Sequence, residues 1–365
     1  MTGLRFRPQA SDVARGAERV FRPPRRAHLL LWLSLAVLVL AAVMGVAFGA
    51  TSIPLTSVLG VIATRLFPLA SLRIECPESS ATIILDLRLP RVALMGLSGA
   101  ALGAAGAAYQ GLFRNPLADP YIIGVASGAG LGATMVLSAF APVTALGLLA
   151  MPAGAFLGGL LTVALVVALA RVGRSTPVTT MLLAGVAVGS LATSLTTFWM
   201  LRSPEGMRRA FNWLLGGYAG GGWAPVGIVL PYLAAGLFAL LSSARSLNVL
   251  QLEEDEARQL GVSVERLKLT ILGAATLMTA AAVAFSGLIG FVGLVVPHVL
   301  RMLGGPDYRW LIPLSALGGA SFLIVADLLA RTLLAPQELP IAVITAMVGT
   351  PFFVFLLRRL KRSVF

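Results

Sequence analysis

Between Tyr121 and Ala170 the chain carries no charged side chain. A water-soluble fold does not tolerate so long a stretch, because charged and polar residues must reach solvent at every turn. In lipid the constraint inverts. Each backbone N–H and C=O must find a partner within its own segment, so the stretch has to be helical. A helix of about 20 residues crosses the hydrocarbon core, so this run holds two crossings with a break between Pro142 and Pro152. The whole chain agrees: 58% of it is hydrophobic, 12% is charged and the mean hydropathy is +0.90. A soluble domain carries about twice that share of charge. Disorder and a cytosolic enzyme are both excluded.

Other apolar runs give the remaining crossings: Leu29–Ala50, Val92–Phe113, Ser175–Leu201, a run from Gly222 to Ala244, Trp310–Leu329 and Pro340–Leu357. Leu29–Ala50 is too long for the h-region of a signal peptide, about 7–15 residues, and reads as the first span. Leu269–Leu300 is too long for one span and short for two. It contains Gly287, Gly290, Gly293 and Pro297, which break or kink helices. The total is therefore nine or ten, and parity decides. The N-terminal tail carries Arg5, Arg7, Arg15, Arg19, Arg22, Arg25 and Arg26, and the C-terminal tail Arg358, Arg359, Lys361 and Arg362. Both tails belong on the cytoplasmic side, which requires an even number, ten. This topology places most of the 28 basic residues inside, as the positive-inside rule demands. The net charge of +13 thus has a topological use. No basic run alternates with aromatics, so nucleic-acid binding is not indicated. The single cysteine, Cys76, cannot form an intramolecular disulfide.

Small residues recur along the spans: Gly96, Gly99, Gly103 and Gly106 in one, Gly124, Gly128, Gly130 and Gly132 in the next. They let helix backbones approach closely in lipid, so tight packing is expected rather than a glycine-built ligand site. There is also an internal echo. Pro177-Val-Thr-Thr-Met-Leu-Leu-Ala-Gly opens one span from the inside, and Pro340-Ile-Ala-Val-Ile-Thr-Ala-Met-Val-Gly opens the last from the outside. This is the pattern of an inverted repeat, as in many transporters.

The chemical motifs are sparse. No G-x-x-x-x-G-K-[ST] occurs, and neither lysine follows a glycine, so the chain has no P-loop for ATP. Two histidines without H-E-x-x-H do not make a zinc site. Gly96-Leu-Ser98-Gly99 matches the serine motif of rhomboid-type intramembrane proteases, with His298 the required base. Asp327 is the one carboxylate inside a span. An intramembrane acid suggests proton or ion coupling, but Arg331 lies one helical turn on and can neutralise it.

Two sets of loops are informative. Arg245–Lys268 is the most polar inner segment; Leu252, Leu260 and Leu267 stand among its charges, Glu254 and Arg258 are spaced i,i+4, and Gly261 suits a helix C-cap. It reads as two short amphipathic helices outside the lipid, a platform for a cytoplasmic partner. On the outer side, Arg88 and Arg91 in Leu87-Arg-Leu-Pro-Arg91, together with Arg331, suit either interfacial anchoring or contact with an acidic partner or solute.

Several segments in order along the chain resemble the FecCD/BtuC-like permeases of type II ABC importers, which take up iron–siderophores, haem and cobalamin. They are Arg88-Leu-Pro-Arg91, Gln110-Gly-Leu-Phe-Arg-Asn115-Pro-Leu117-Ala-Asp119-Pro120, Gly124-Val-Ala-Ser-Gly128-Ala, Leu182-Leu-Ala-Gly-Val-Ala, Leu260-Gly261, Gly287-Leu-Ile-Gly-Phe-Val-Gly-Leu-Val-Val-Pro-His298, Asp327-Leu-Leu-Ala-Arg331 and Glu338-Leu-Pro340. The resemblance implies an all-α protein of ten transmembrane helices with both termini cytoplasmic, multi-pass in a bacterial inner membrane. Residues 1–27 form a basic tail, longer than the family leads one to expect, and 28–365 the permease domain, with residues 245–268 supplying the coupling helices. It implies a second copy or close paralogue as partner, two ATP-binding subunits beneath, and a periplasmic or lipid-anchored binding protein outside. No cofactor belongs to this chain; ATP and Mg are used by the ATPase. Leu252, Glu253, Asp255, Glu256, Ala257, Arg258, Leu260 and Gly261 would couple to that ATPase. Asn115, Leu117, Ser175 and Thr176 would form the cytoplasmic gate, and Arg88, Arg91 and Arg331 would dock the binding protein. Leu72–Ser80, with Cys76, looks like a local insertion. The chelate stays open, and so do the intramembrane protease and the Asp327 proton-coupled transporter as competing readings.

Overall fold

The computed structural model describes residues 25–49, 54, 56, 60, 81–139, 145–202, 204–217 and 221–364. The tail before residue 25, the Leu72–Ser80 insertion with Cys76, and Pro142 lie outside them. The described residues form helices and no β-strand. In chain order these are α1 (Arg25–Ala47), a π-helical turn (Ile83–Arg88) running into α2 (Leu89–Leu112), α3 (Val125–Ala139), α4 (Ala145–Ala170), α5 (Val178–Leu201) and α6 (Pro204–Leu214). They continue with α7 (Ala224–Val249), α8 (Glu254–Gln259), α9 (Val264–Ser286), α10 (Val292–Gly304), α11 (Tyr308–Thr332) and α12 (Ile341–Val364). Seven are long and apolar enough to cross a membrane: α1, α2, α4, α5, α7, α9 and α11; α3, α10 and α12 are shorter apolar helices.

The ambiguous run Leu269–Leu300 is two helices, α9 and α10, with the break at 287–291. Gly287 and Phe291 both take positive φ (+69°) there. For Gly287 this costs little, whereas for Phe291 it is a strained state that its surroundings must hold. Gly293 and Pro297, also expected to break the run, lie inside α10. Gly293 serves packing instead, since a Cβ on it would press into the Pro120 ring.

The helices alternate in direction, and contacts identify two ends of the bundle. At one, the basal end, the starts of α1 and α11 meet through His28 and Trp310, and the end of α7 meets the start of α11 through Asn248 and Asp307. At the opposite end, Arg88 reaches the last carbonyls of α1. Pro177 and Pro340, the two openings of the internal echo, stand just before α5 and α12 at opposite ends.

α2 lies at the centre, packed on α11, α9, α7 and α10. Its glycines explain how. A Cβ on Gly99 would collide with the Gly319 carbonyl, on Gly103 with the Ser315 carbonyl, and on Gly106 with the Gly293 carbonyl. Small residues four apart on both α2 and α11 thus bring the two backbones together, the arrangement that gives lipid-embedded helices their van der Waals contact. α3 and α4 repeat it, with Gly128 and Gly132 against Gly154 and Gly158.

Asp307 caps α11, accepting from the Arg309 amide at 3.0 Å, and also takes hydrogen bonds from Asn248 and the Arg309 side chain. Burial alone would raise its carboxyl. The bonds from Arg309 and Asn248 outweigh that and hold it below the usual 3.8. A depressed native carboxylate adds stability above its unfolded value and loses it as pH falls through the native one. Melting of the detergent-solubilised protein should therefore become more sensitive to acid below about pH 4. In Asp307→Asn that increment should be missing; identical acid profiles would refute it.

Candidate functional site

The basal end concentrates polar chemistry in two turns and one short helix. α2 ends in a Schellman motif: the Asn115 amide donates to the Gln110 carbonyl and the Arg114 amide to Gly111. Glycine normally fills the left-handed position, but here Arg114 does, at φ +48°. Asn115 then folds back, its Oδ1 accepting from the Leu117 amide at 2.9 Å. This Asx turn redirects the chain into α3. The second turn joins α4 to α5. Val172 and Ser175 exchange backbone hydrogen bonds, the Ser175 hydroxyl donates to the Val172 carbonyl, and Thr176 is buried.

The polar segment 245–268 differs from expectation. α7 runs on to Val249 and α9 begins at Val264, because Leu247, Val264, Leu267 and Lys268 are all buried against the bundle. Only α8 is left as a free-standing short helix. Gly261, at φ +85°, ends it in a full Schellman motif, with Val262 donating to Ala257 and Gly261 to Arg258. Ala257 is its fully buried contact. Arg258 pairs with Asp255 at 3.2 Å and lies 3.7 Å from Glu254. Leu252 and Leu260 stay exposed beside Glu253, Asp255 and Glu256, an apolar–acidic surface facing away from the bundle.

This surface is bonded to both turns. Arg114 donates to the Leu252 carbonyl at 3.1 Å and Gln251 to the Gly111 carbonyl at 3.1 Å, which ties it to the Asn115 turn. Glu254 reaches Lys268, which in turn donates to the Thr176 carbonyl. Lys268 was not among the residues singled out from sequence; nothing marks it there beyond its being one of two lysines.

At the opposite end the three arginines point inward. Arg88 donates to the Val46 and Ala47 carbonyls at 2.8 Å each. Arg331 donates to Gly45, Phe48 and Asp327. Arg91 bridges Asp327 and Glu338. Asp327, Arg331 and Arg88 are 1%, 5% and 7% exposed. The expected Asp327–Arg331 pair is present at 2.9 Å, and Arg91 joins it. Together they close the C-terminus of α1, whose last carbonyls lack helical partners.

Between the ends, α5 turns an unusual face outward. Ser190, Thr193, Ser194 and Thr197 are exposed on a largely apolar helix, and the hydroxyls of the last three bond back one turn to main-chain carbonyls. Beside this face is a cavity of about 420 Å³ lined by Tyr121, Gly124, Ser127, Gly185, Gly189 and Thr193. The cluster of hydroxyl residues in Ser175–Leu201 was the available signal. The serine–histidine alternative finds no geometry: among the described residues Ser98 Oγ is buried without a hydrogen-bond partner, and the His298 ring packs on Phe352.

The family model for the FecCD transport family matches residues 36–359. The chain is 42% identical to the ABC transporter permease protein YvrB of Bacillus subtilis over 89% of this chain and 92% of that one. It is 45% identical to the cobalamin import permease BtuC of Halobacterium salinarum (79% and 77% covered) and 41% identical to the hemin transport permease HmuU of Yersinia pestis (77% and 84%). Among solved structures, a metal-chelate type ABC transporter in an inward-facing conformation superposes with a TM-score of 0.77 at 30% identity, covering 90% of this chain and 98% of that one.

Proposed function

Because the chain belongs to the FecCD transport family, we propose that it is the transmembrane permease subunit of an ATP-binding-cassette importer that takes up a metal chelate: an iron–siderophore, haem or cobalamin. The observation that carries this is the family match over residues 36–359, joined to a basal surface hydrogen-bonded to both turns. In this reading the basal end is cytoplasmic, ten helices cross a bacterial inner membrane, and both termini lie inside. The chain performs no covalent chemistry. A separate ATPase, using ATP and Mg, binds against Leu252, Glu253, Asp255, Glu256, Ala257, Arg258, Leu260 and Gly261. Asn115, Leu117, Ser175 and Thr176 close the inner mouth.

A second copy is proposed to face α5. Its exposed hydroxyl stripe keeps acceptor oxygens on the surface after donating to its own backbone, and two such faces make a weakly polar path for a large solute. Weak binding there aids release, and affinity then belongs to a substrate-binding protein outside. Arg88, Arg91 and Arg331 are proposed to hold the face on which that protein docks, bracing α1. The chelate itself is undecided by kinship, since relatives named for cobalamin and for hemin are 45% and 41% identical.

The test is reconstitution of the permease with its ATPase in ATP-loaded vesicles, with the binding protein outside and ferric siderophore, haem and cobalamin offered in turn. ATP-dependent accumulation of one of them is expected. Absence of any complex with an ATPase would overturn the reading. In the same assay Ser98→Ala should keep uptake within about twofold, because the site is only packed. Abolished uptake with a folded protein would revive the serine as a reactive group.

A further inference from the structure

We infer that Lys268 is the mechanical link between the coupling surface and the inner gate, a positioning residue that converts displacement of α8 into displacement of the 171–177 turn. The inference rests on the permease reading above. Lys268 is 1% exposed, at the start of the second turn of α9. Its ammonium has three donors and three acceptors are in place: Glu254 on α8 at 2.8 Å, Glu265 at 3.4 Å and the Thr176 carbonyl at 3.2 Å. Glu265 completes the triangle, its other oxygen accepting from both the amide and the hydroxyl of Thr176. One cation therefore holds one residue of the coupling helix and one residue of the gate turn.

The physics favours transmission over slack. A buried cation that loses one acceptor keeps its desolvation cost without compensation. If α8 moves, following Glu254 is cheaper for Lys268 than abandoning it. Following it pulls on the Thr176 carbonyl, and Glu265 holds the Thr176 amide so that the turn moves as a unit. A lysine suits this better than an arginine: a compact charge with three divergent donors can meet three separate acceptors, whereas a planar guanidinium pairs in forks. The other attachments of the surface, Arg114 to Leu252 and Gln251 to Gly111, hold the Asn115 turn through backbone carbonyls and do not pass through Lys268.

The experiment measures solute imported per ATP hydrolysed in the reconstituted importer. Lys268→Met should lower that ratio about tenfold, the scale of losing a buried charged hydrogen bond. Lys268→Met also removes a buried charge from the fold, so Glu254→Gln serves as the second variant; Glu254 is only partly buried and the Lys268–Glu265–Thr176 contacts do not involve it. It should lower the ratio in the same direction. The two changes should be non-additive, the double variant no worse than Lys268→Met alone. A wild-type ratio in Glu254→Gln, or strictly additive losses, would overturn the linkage while leaving the importer reading intact. A wild-type complex with no ATP-driven uptake would overturn the importer reading, and the linkage with it.

Discussion

Asp327→Ala should destabilise the protein by about 3–5 kcal/mol, the cost of removing one partner from a buried ion pair. The carboxylate is 1% exposed and takes hydrogen bonds from Arg331 and Arg91 at 2.9 Å each. Its loss leaves two guanidinium groups without their shared anion. Arg331 also donates to Gly45 and Phe48, so the C-terminus of α1 loosens too. The readout is thermal melting in detergent and the yield of monodisperse protein. The proton-coupling reading of Asp327 expects something else: a stable protein that has lost gradient-driven flux. Asp327→Ala with wild-type melting would contradict the structural role.

Gly103→Val should be among the most damaging single changes in the bundle. A Cβ there collides with the Ser315 carbonyl, a backbone atom of α11 that no rotamer change can clear. Overpacking a core costs about 1–3 kcal/mol even where side chains can yield. Here a central helix pair must separate, and the contact between backbones is what holds such pairs together in lipid. The expected result is no recoverable folded protein. Gly273→Ala is the control: it lies in α9 with nothing among the described residues within 4 Å of an added Cβ, and it should be silent. If Gly103→Val melts like wild type, the close approach of α2 and α11 is wrong.

These two sites also show what the sequence could and could not tell. The glycine spacing in α2 and α3 was legible, because a helix repeats every 3.6 residues and small residues four apart fall on one face. The helix partner was not: Ser315 and Gly319 are some 200 positions away. The Asp327–Arg331 pair was readable from a four-residue spacing, while Arg91, 236 positions from Asp327, left no local trace. The breaks at Gly287 and Gly290 were visible as residue types, yet the choice between one and two helices needed charge parity. The polar segment 245–268 misled in one respect. Its charges suggested two helices free of the bundle, but buried Leu247 and Lys268 extend α7 and α9 into it and leave only α8. Lys268 was hidden for the same reason, since a buried, fully paired lysine looks in sequence like any surface one.

The central claim is that a conformational change powered by a separate ATPase, and not an ion gradient, drives a chelate through this chain. Its most direct test is uptake into vesicles holding the permease and its ATPase, with the binding protein outside. ATP is loaded inside in one set, and a proton gradient is imposed without ATP in the other. The account predicts accumulation with ATP that persists when a protonophore collapses the gradient, and none with the gradient alone. Gradient-driven uptake that ignores ATP and stops with the protonophore would contradict it and make Asp327 the residue to pursue.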